Sequence, residues 1–173
     1  MKVYLVTAVT AVFVLLDLLT GNAGLSMALV LCPALYFAVV YRRRYGFIAA
    51  AAAAVVLEAI YFREWMLAPA LYPLILLAAL SVVNNTGRSF PLSVLSGGGT
   101  IGALMWLANV MQCVMLGLPL PEPDAASVLV FQVVFSALTM LVFTVVADFF
   151  AFKCNLPRFS MNKKGEFSRS GDE

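Results

Sequence analysis

Six apolar stretches divide the chain: Val3–Leu19, Leu25–Tyr41, Tyr45–Phe62, Met66–Val83, a glycine-rich start at Ser96 that runs on to Leu118, and Val128–Phe152. A helix needs roughly 20 apolar residues to match the hydrocarbon thickness of a bilayer. Lipid offers no water to backbone N–H and C=O groups, so each stretch is expected to be a helix that closes its own hydrogen bonds. The interruptions are polar or stiff. Thr20-Gly21-Asn22 reads as a turn, Arg42-Arg43-Arg44 as a charged stop and Asn84-Asn85-Thr86-Gly87-Arg88 as a polar loop. Pro119-Leu120-Pro121-Glu122-Pro123-Asp124 reads as a rigid acidic connection. The pattern predicts an all-α polytopic membrane protein: a bundle of six transmembrane helices over residues 1–154 and a basic, disordered cytoplasmic tail over residues 155–173.

Composition strengthens the membrane reading. Of 173 residues, 63% are hydrophobic and 12% charged, against about 25% charged in soluble domains. The net charge of +2 matters less than where the charges fall. With the N-terminus inside, Lys2, Arg42, Arg43, Arg44, Arg88, Lys153, Arg158, Lys163, Lys164 and Arg169 share one side, and of the 11 basic residues only Arg63 lies on the other. That asymmetry predicts a multi-pass protein of the bacterial inner membrane with both termini cytoplasmic. Lys2 and the apolar run behind it are similar to a signal peptide, but the run is longer than the usual h-region and contains Asp17. Its removal would leave five spans with termini on opposite sides, so the first helix is expected to stay.

Chemistry is sparse. The chain has no histidine, which removes the commonest general base and metal ligand together. Cys32, Cys113 and Cys154 are far apart, and Ser96-Gly97-Gly98-Gly99-Thr100 lacks the Gly-Lys-Ser/Thr of a phosphate loop. Neither enzymatic activity nor a cofactor or metal is expected. The glycine run reads as a flexible or kinked helix entry, with Gly98-x-x-x-Gly102 as a helix-packing motif.

Three acids lie inside apolar stretches: Asp17, Glu58 and Asp148. A charge at a helix centre costs about 2.5–3.5 kcal/mol on insertion scales, so each needs a partner or a polar interior. Gly46, Ala50, Ala54 and Glu58 form a stripe at four-residue spacing, which admits a close helix neighbour and ends in a carboxylate. Asp17 and Glu58 fall in the same leaflet, with Arg63 placed to bridge them if helices one and three are neighbours. Asp148 lies one turn before Lys153, and a local ion pair is expected. Asn109 and Gln112 on helix five and Gln132 on helix six, with Ser136 and Thr139, complete the candidate interior polar positions.

From helix two to helix four the chain resembles MreD, the small membrane subunit of the bacterial rod-shape system. The resemblance rests on Cys32-Pro33-Ala34-Leu35-Tyr36-Phe37, the basic turn Arg42-Arg43-Arg44, Tyr45-Gly46-Phe47 and the acidic Val55-Val56-Leu57-Glu58-Ala59. The family's usual Leu-Asp-Leu stands here as Leu57-Glu58-Ala59, without the glycine loop behind it, while Leu16-Asp17-Leu18 carries that wording one hairpin earlier. The resemblance implies a scaffold that holds an MreC-type protein and the wall-synthesis complex together, in contact with membrane lipids. MreD is similar in fold to the substrate-binding subunits of energy-coupling-factor transporters. That likeness supplies the alternative of a small-molecule, vitamin-like capture subunit.

Overall fold

A computed structural model describes residues 2–22, 29–61, 68–86, 90–115, 117, 125–154 and 156–160. It contains six helices: α1 (Lys2–Asn22), α2 (Leu31–Val40), α3 (Arg43–Tyr61), α4 (Ala68–Asn85), α5 (Phe90–Met115) and α6 (Ala125–Lys153). There is no strand among the described residues. Prolines stand where a helix tolerates them. Pro33, Pro69 and Pro91 fall in first turns, where the missing N–H has no intrahelical partner anyway, and Pro73 alone lies inside a helix.

Six helices were expected to be six spans, and four are long and apolar enough to cross a membrane: α1, α4, α5 and α6. The two exceptions have different causes. The ten residues of α2 extend about 15 Å at 1.5 Å per residue, half a hydrocarbon core. The 19 residues of α3 open on Arg43 and Arg44 and carry Glu58 near the other end, so the apolar stretch between them is short.

The short helix is the centre of the molecule. All ten residues of α2 are buried, and α2 packs against each of the other five helices. Around it the neighbours follow in the order α1, α3, α4, α5, α6. The ring closes at an edge-on contact between Phe13 of α1 and Phe143 of α6, with centroids 5.1 Å apart. Consecutive helices run antiparallel, so the starts of α2 and α4 meet the ends of α1 and α3 at one end of the bundle.

Glycines set the closest approaches. A Cβ on Gly46 would collide with the Ala34 carbonyl and the Ala38 side chain, so α3 lies directly on the backbone of α2. Along α5, a Cβ on Gly98 would stand 2.7 Å from the Ser136 carbonyl oxygen and 2.8 Å from Ala137 Cα, and Gly102 meets Gln132 and Val133 in the same way. The Gly98/Gly102 motif therefore joins α5 to α6, and the stripe of Gly46, Ala50 and Ala54 is buried within the bundle. The glycine run is no helix entry: α5 begins six residues before Ser96, and the run is continuous helix. Close packing holds it, together with hydroxyls of Ser93, Ser96 and Thr100 that donate to the carbonyls of Phe90, Ser93 and Ser96.

The outer surface is apolar. Tyr4 and Leu19 on α1, Ile48 on α3, Leu74 on α4 and Phe131, Val142 and Phe150 on α6 are all exposed. A soluble monomer rarely shows so continuous an apolar exterior, and this one is compatible with insertion into lipid.

The glycine contacts give a paired test. Gly98→Ala must push α6 backbone away and should lower stability by about 1–3 kcal/mol. Gly99→Ala, whose Cβ would meet only Val133 Cγ1 at 3.7 Å, should change little. Thermal unfolding of the two variants in the same detergent would show it, and equal loss at both positions contradicts the packing.

Candidate functional site

A helix start leaves backbone N–H groups without intrahelical partners, and inside an apolar bundle no water satisfies them. Two of the three interior acids, Asp17 and Glu58, meet this need. Asp17, 6% exposed, receives the N–H of Leu29 on Oδ1 at 2.6 Å and the N–H of Val30 on Oδ2 at 2.9 Å. Val30 is the N-cap of α2 and makes no side-chain cap of its own. The preceding helix supplies the cap instead, and the carboxylate sits at the positive end of the α2 dipole.

Glu58, 4% exposed, repeats the device one hairpin later. Its Oε1 accepts the N–H of Ala68, the first residue of α4, at 2.7 Å. Oε2 is buried and has no hydrogen-bond partner among the described residues. The next residue, Pro69, has no N–H to give. Asp17 grips two successive amides, whereas Glu58 holds one among the described residues.

Asp148 works at the opposite end. Oδ1 accepts the Tyr36 hydroxyl at 2.9 Å and the N–H of Phe159 at 2.8 Å, and Oδ2 accepts the N–H of Ser160 at 3.0 Å. The expected pair with Lys153 is replaced. Lys153 stands over the Phe149 ring, 4.8 Å from its centroid, and the backbone amides behind α6 take the carboxylate. Residues 156–160, assigned from sequence to a disordered tail, fold back on the bundle, and Leu156 N–H donates to Ala151 O. Phe159 is fully buried, stacked on Tyr36 and edge-on to Phe90. Residue 155 and residues 161–173 lie outside the described residues.

The remaining candidates are dispersed. Helices α1 and α3 are neighbours, as the proposed acid cluster required, but Asp17 and Glu58 engage different helix starts. Arg63 lies outside the described residues. Gln132 is buried near the point where Gly102 meets α6, and Asn109 and Gln112 are half-buried on α5. Among the described residues no three His, Cys, Asp or Glu side chains gather as a metal site would need. No protein-family model, curated protein or solved structure matches this chain.

Sequence reasoning found the acids and missed their partners. Backbone N–H groups leave no mark in a residue pattern. The available signal was positional: each acid stands ten to thirteen residues before the amides it holds, and a proline lies close to each set of amides, at positions 33, 69 and 157.

The two oxygens of each acid can be tested separately. Asp17→Asn would set an amide NH2 against a backbone N–H and should cost about 1–3 kcal/mol. Glu58→Gln keeps the oxygen that Ala68 uses and should cost less. Thermal unfolding in detergent ranks the two, and a larger loss at Glu58 would contradict the capping geometry. Asp148→Ala should release residues 156–160, seen as faster trypsin cleavage after Arg158 by mass spectrometry of the fragments. An unchanged rate would show that Phe159 alone holds the segment.

Proposed function

We propose that this chain is a multi-pass protein of the bacterial inner membrane that serves as a non-enzymatic scaffold of the MreD kind, holding an MreC-type partner within the cell-shape and peptidoglycan-elongation machinery. Six antiparallel helices carry the chain across six times. The length rule for spanning helices applies to helices that face lipid. Protein encloses α2 on every side, so its ten residues meet no hydrocarbon. Both termini are cytoplasmic in this reading, because Arg42, Arg43, Arg44, Lys153 and Arg158 gather at the bundle end where α2 and α6 finish and α3 begins.

The observation that carries the scaffold reading is the use made of the interior carboxylates: all three hold this chain's own backbone. A catalytic or transport site would keep its charged groups for something that comes and goes. Here two of them fix helix starts and the third holds the segment folded back behind α6, and the outward face of the bundle is apolar. The resemblance over the α2–α3 hairpin supplies the partner's identity. Its signature residues are structural ones, since Pro33 opens α2, Arg42 to Arg44 form the turn, Gly46 seats α3 on α2 and Glu58 starts α4. The helix-packing stripes, Gly46 to Ala54 and Gly98 to Gly102, are closed internally, so a partner helix would meet larger apolar side chains.

Two measurements decide the reading. Reporter fusions after residue 42, after residue 86 and at the C-terminus should report the cytoplasm, and a fusion at residue 63 the opposite side; any other pattern breaks the six-pass topology. Co-expressed with the MreC-type protein of its own genome, the tagged chain should bring that protein through purification in mild detergent. Purification without it, but with a stoichiometric small molecule, would establish the capture subunit instead.

A further inference from the structure

We propose that the Asp148 end of the bundle carries a binding surface for anionic phospholipid headgroups, formed jointly by the α2–α3 turn and the end of α6. The inference rests on the membrane reading above and adds a lipid class to it.

The two segments abut. Tyr36 of α2 donates its hydroxyl to Asp148 near the end of α6, and its ring stacks on Phe159 just beyond that helix. Arg42, Arg43 and Arg44, all exposed, therefore share one end of the bundle with Lys153 and Arg158. Among the described residues none of these five cations forms an ion pair. The sole described acid at this end is Asp148, and Tyr36, Phe159 and Ser160 occupy it. The result is a group of cations that the described fold leaves unneutralised, although α6 has a carboxylate one turn from Lys153 that could have paired with it.

The surroundings choose between possible anions. Lys153 stands 4.8 Å from the centroid of the Phe149 ring, and Arg158 stands 4.6 Å from that of Phe152. Both rings are more than half exposed. A cation resting on an exposed aromatic ring is the arrangement of a membrane interface, where ring and stem meet acyl chains and the charge meets phosphate. An acidic protein segment would match the cations but would gain nothing from the bare rings beneath them. A phospholipid matches both, with its phosphate among the cations and its chains along α6. Basic residues near a membrane surface each strengthen anionic-lipid binding about fivefold.

The test uses the full chain in vesicles of equal phosphatidylcholine and phosphatidylglycerol, extracted gently and examined by native mass spectrometry for the lipids it retains. The chain should retain phosphatidylglycerol in clear excess. K153Q/R158Q, which leaves Arg42 to Arg44 to hold orientation, should lower that excess about fivefold for each cation removed. R42Q/R43Q/R44Q should lower it further, and R42K/R43K/R44K should preserve it. Equal retention of the two lipids, or an excess that both glutamine variants keep, overturns the proposal. So does tight binding of polyglutamate by a chain that shows no lipid preference, which would mark an acidic protein partner. Failure to enter vesicles of either lipid alone would instead overturn the membrane reading. Entry without preference leaves that reading standing and removes this one.

Discussion

An amide N–H at the start of a helix has to be given an acceptor, and in an apolar interior the acceptor has to come from the protein. Most helices solve this locally, with a serine, threonine, asparagine or aspartate at the N-cap. Here Val30 occupies the N-cap of α2, and the acceptor reaches across from the helix before. The consequence is more than a satisfied donor. A local cap stabilises one helix, whereas Asp17 ties α1 to the start of α2 and Glu58 ties α3 to the start of α4. Each such bond fixes how deep the second helix begins relative to the first. Charge-assisted hydrogen bonds contribute about 1.5–3 kcal/mol, the same order as the cost of placing a carboxylate in a helix centre. The acids are therefore tolerated where a bare charge would not be.

The depth fixed by Asp17 determines the rest of the architecture. Helix α2 starts at the level of Asp17 and ends at the Tyr41–Arg42 turn, and five helices gather on it. Gly46 lets α3 come down onto Ala34 and Ala38, and a Cβ on Gly97 would come within 3.0 Å of Leu35 Cδ2, so α5 is seated against the same helix. Tyr36, at the middle of α2, reaches the far end through its hydroxyl to Asp148, while its ring meets Phe143 and Phe159. A single central helix thus connects the cap at one end of the bundle to the folded-back segment at the other.

The all-helical class and the approximate helix positions were legible in the sequence, because apolar length and charged interruptions are one-dimensional signals. The acids, the Gly98-x-x-x-Gly102 motif and the Gly46 to Ala54 stripe were legible as exceptions to the apolar background. Three things were not. The shortness of α2 was hidden because its apolar run continues toward Leu25 with only Ser26 interrupting it. The partner of Asp148 was misread because Lys153 is near in sequence, whereas the Tyr36 hydroxyl comes from a helix over a hundred residues away. The folded-back segment was hidden because one buried aromatic, Phe159, outweighs the polar residues on either side of it. Composition averages over a tail, and a single ring with a ready slot does not register in an average.

Proline sharpens what an interior acid means. At α2 the carboxylate meets two successive amides and both of its oxygens are used. At α4 the second residue is Pro69, and one buried oxygen of Glu58 has no donor among the described residues. An interior carboxylate is ordinarily the first place to look for a transported ion or a reacting group. In this fold, backbone amides within reach bind every interior acid, and Asp148 takes the Tyr36 hydroxyl as well. Where both oxygens are held by amides, as at Asp17, helix geometry gives each oxygen a donor. At Glu58 the same geometry gives a donor to one oxygen. Interior acids in apolar chains are thus better judged by counting the amides at the neighbouring helix start than by their charge alone.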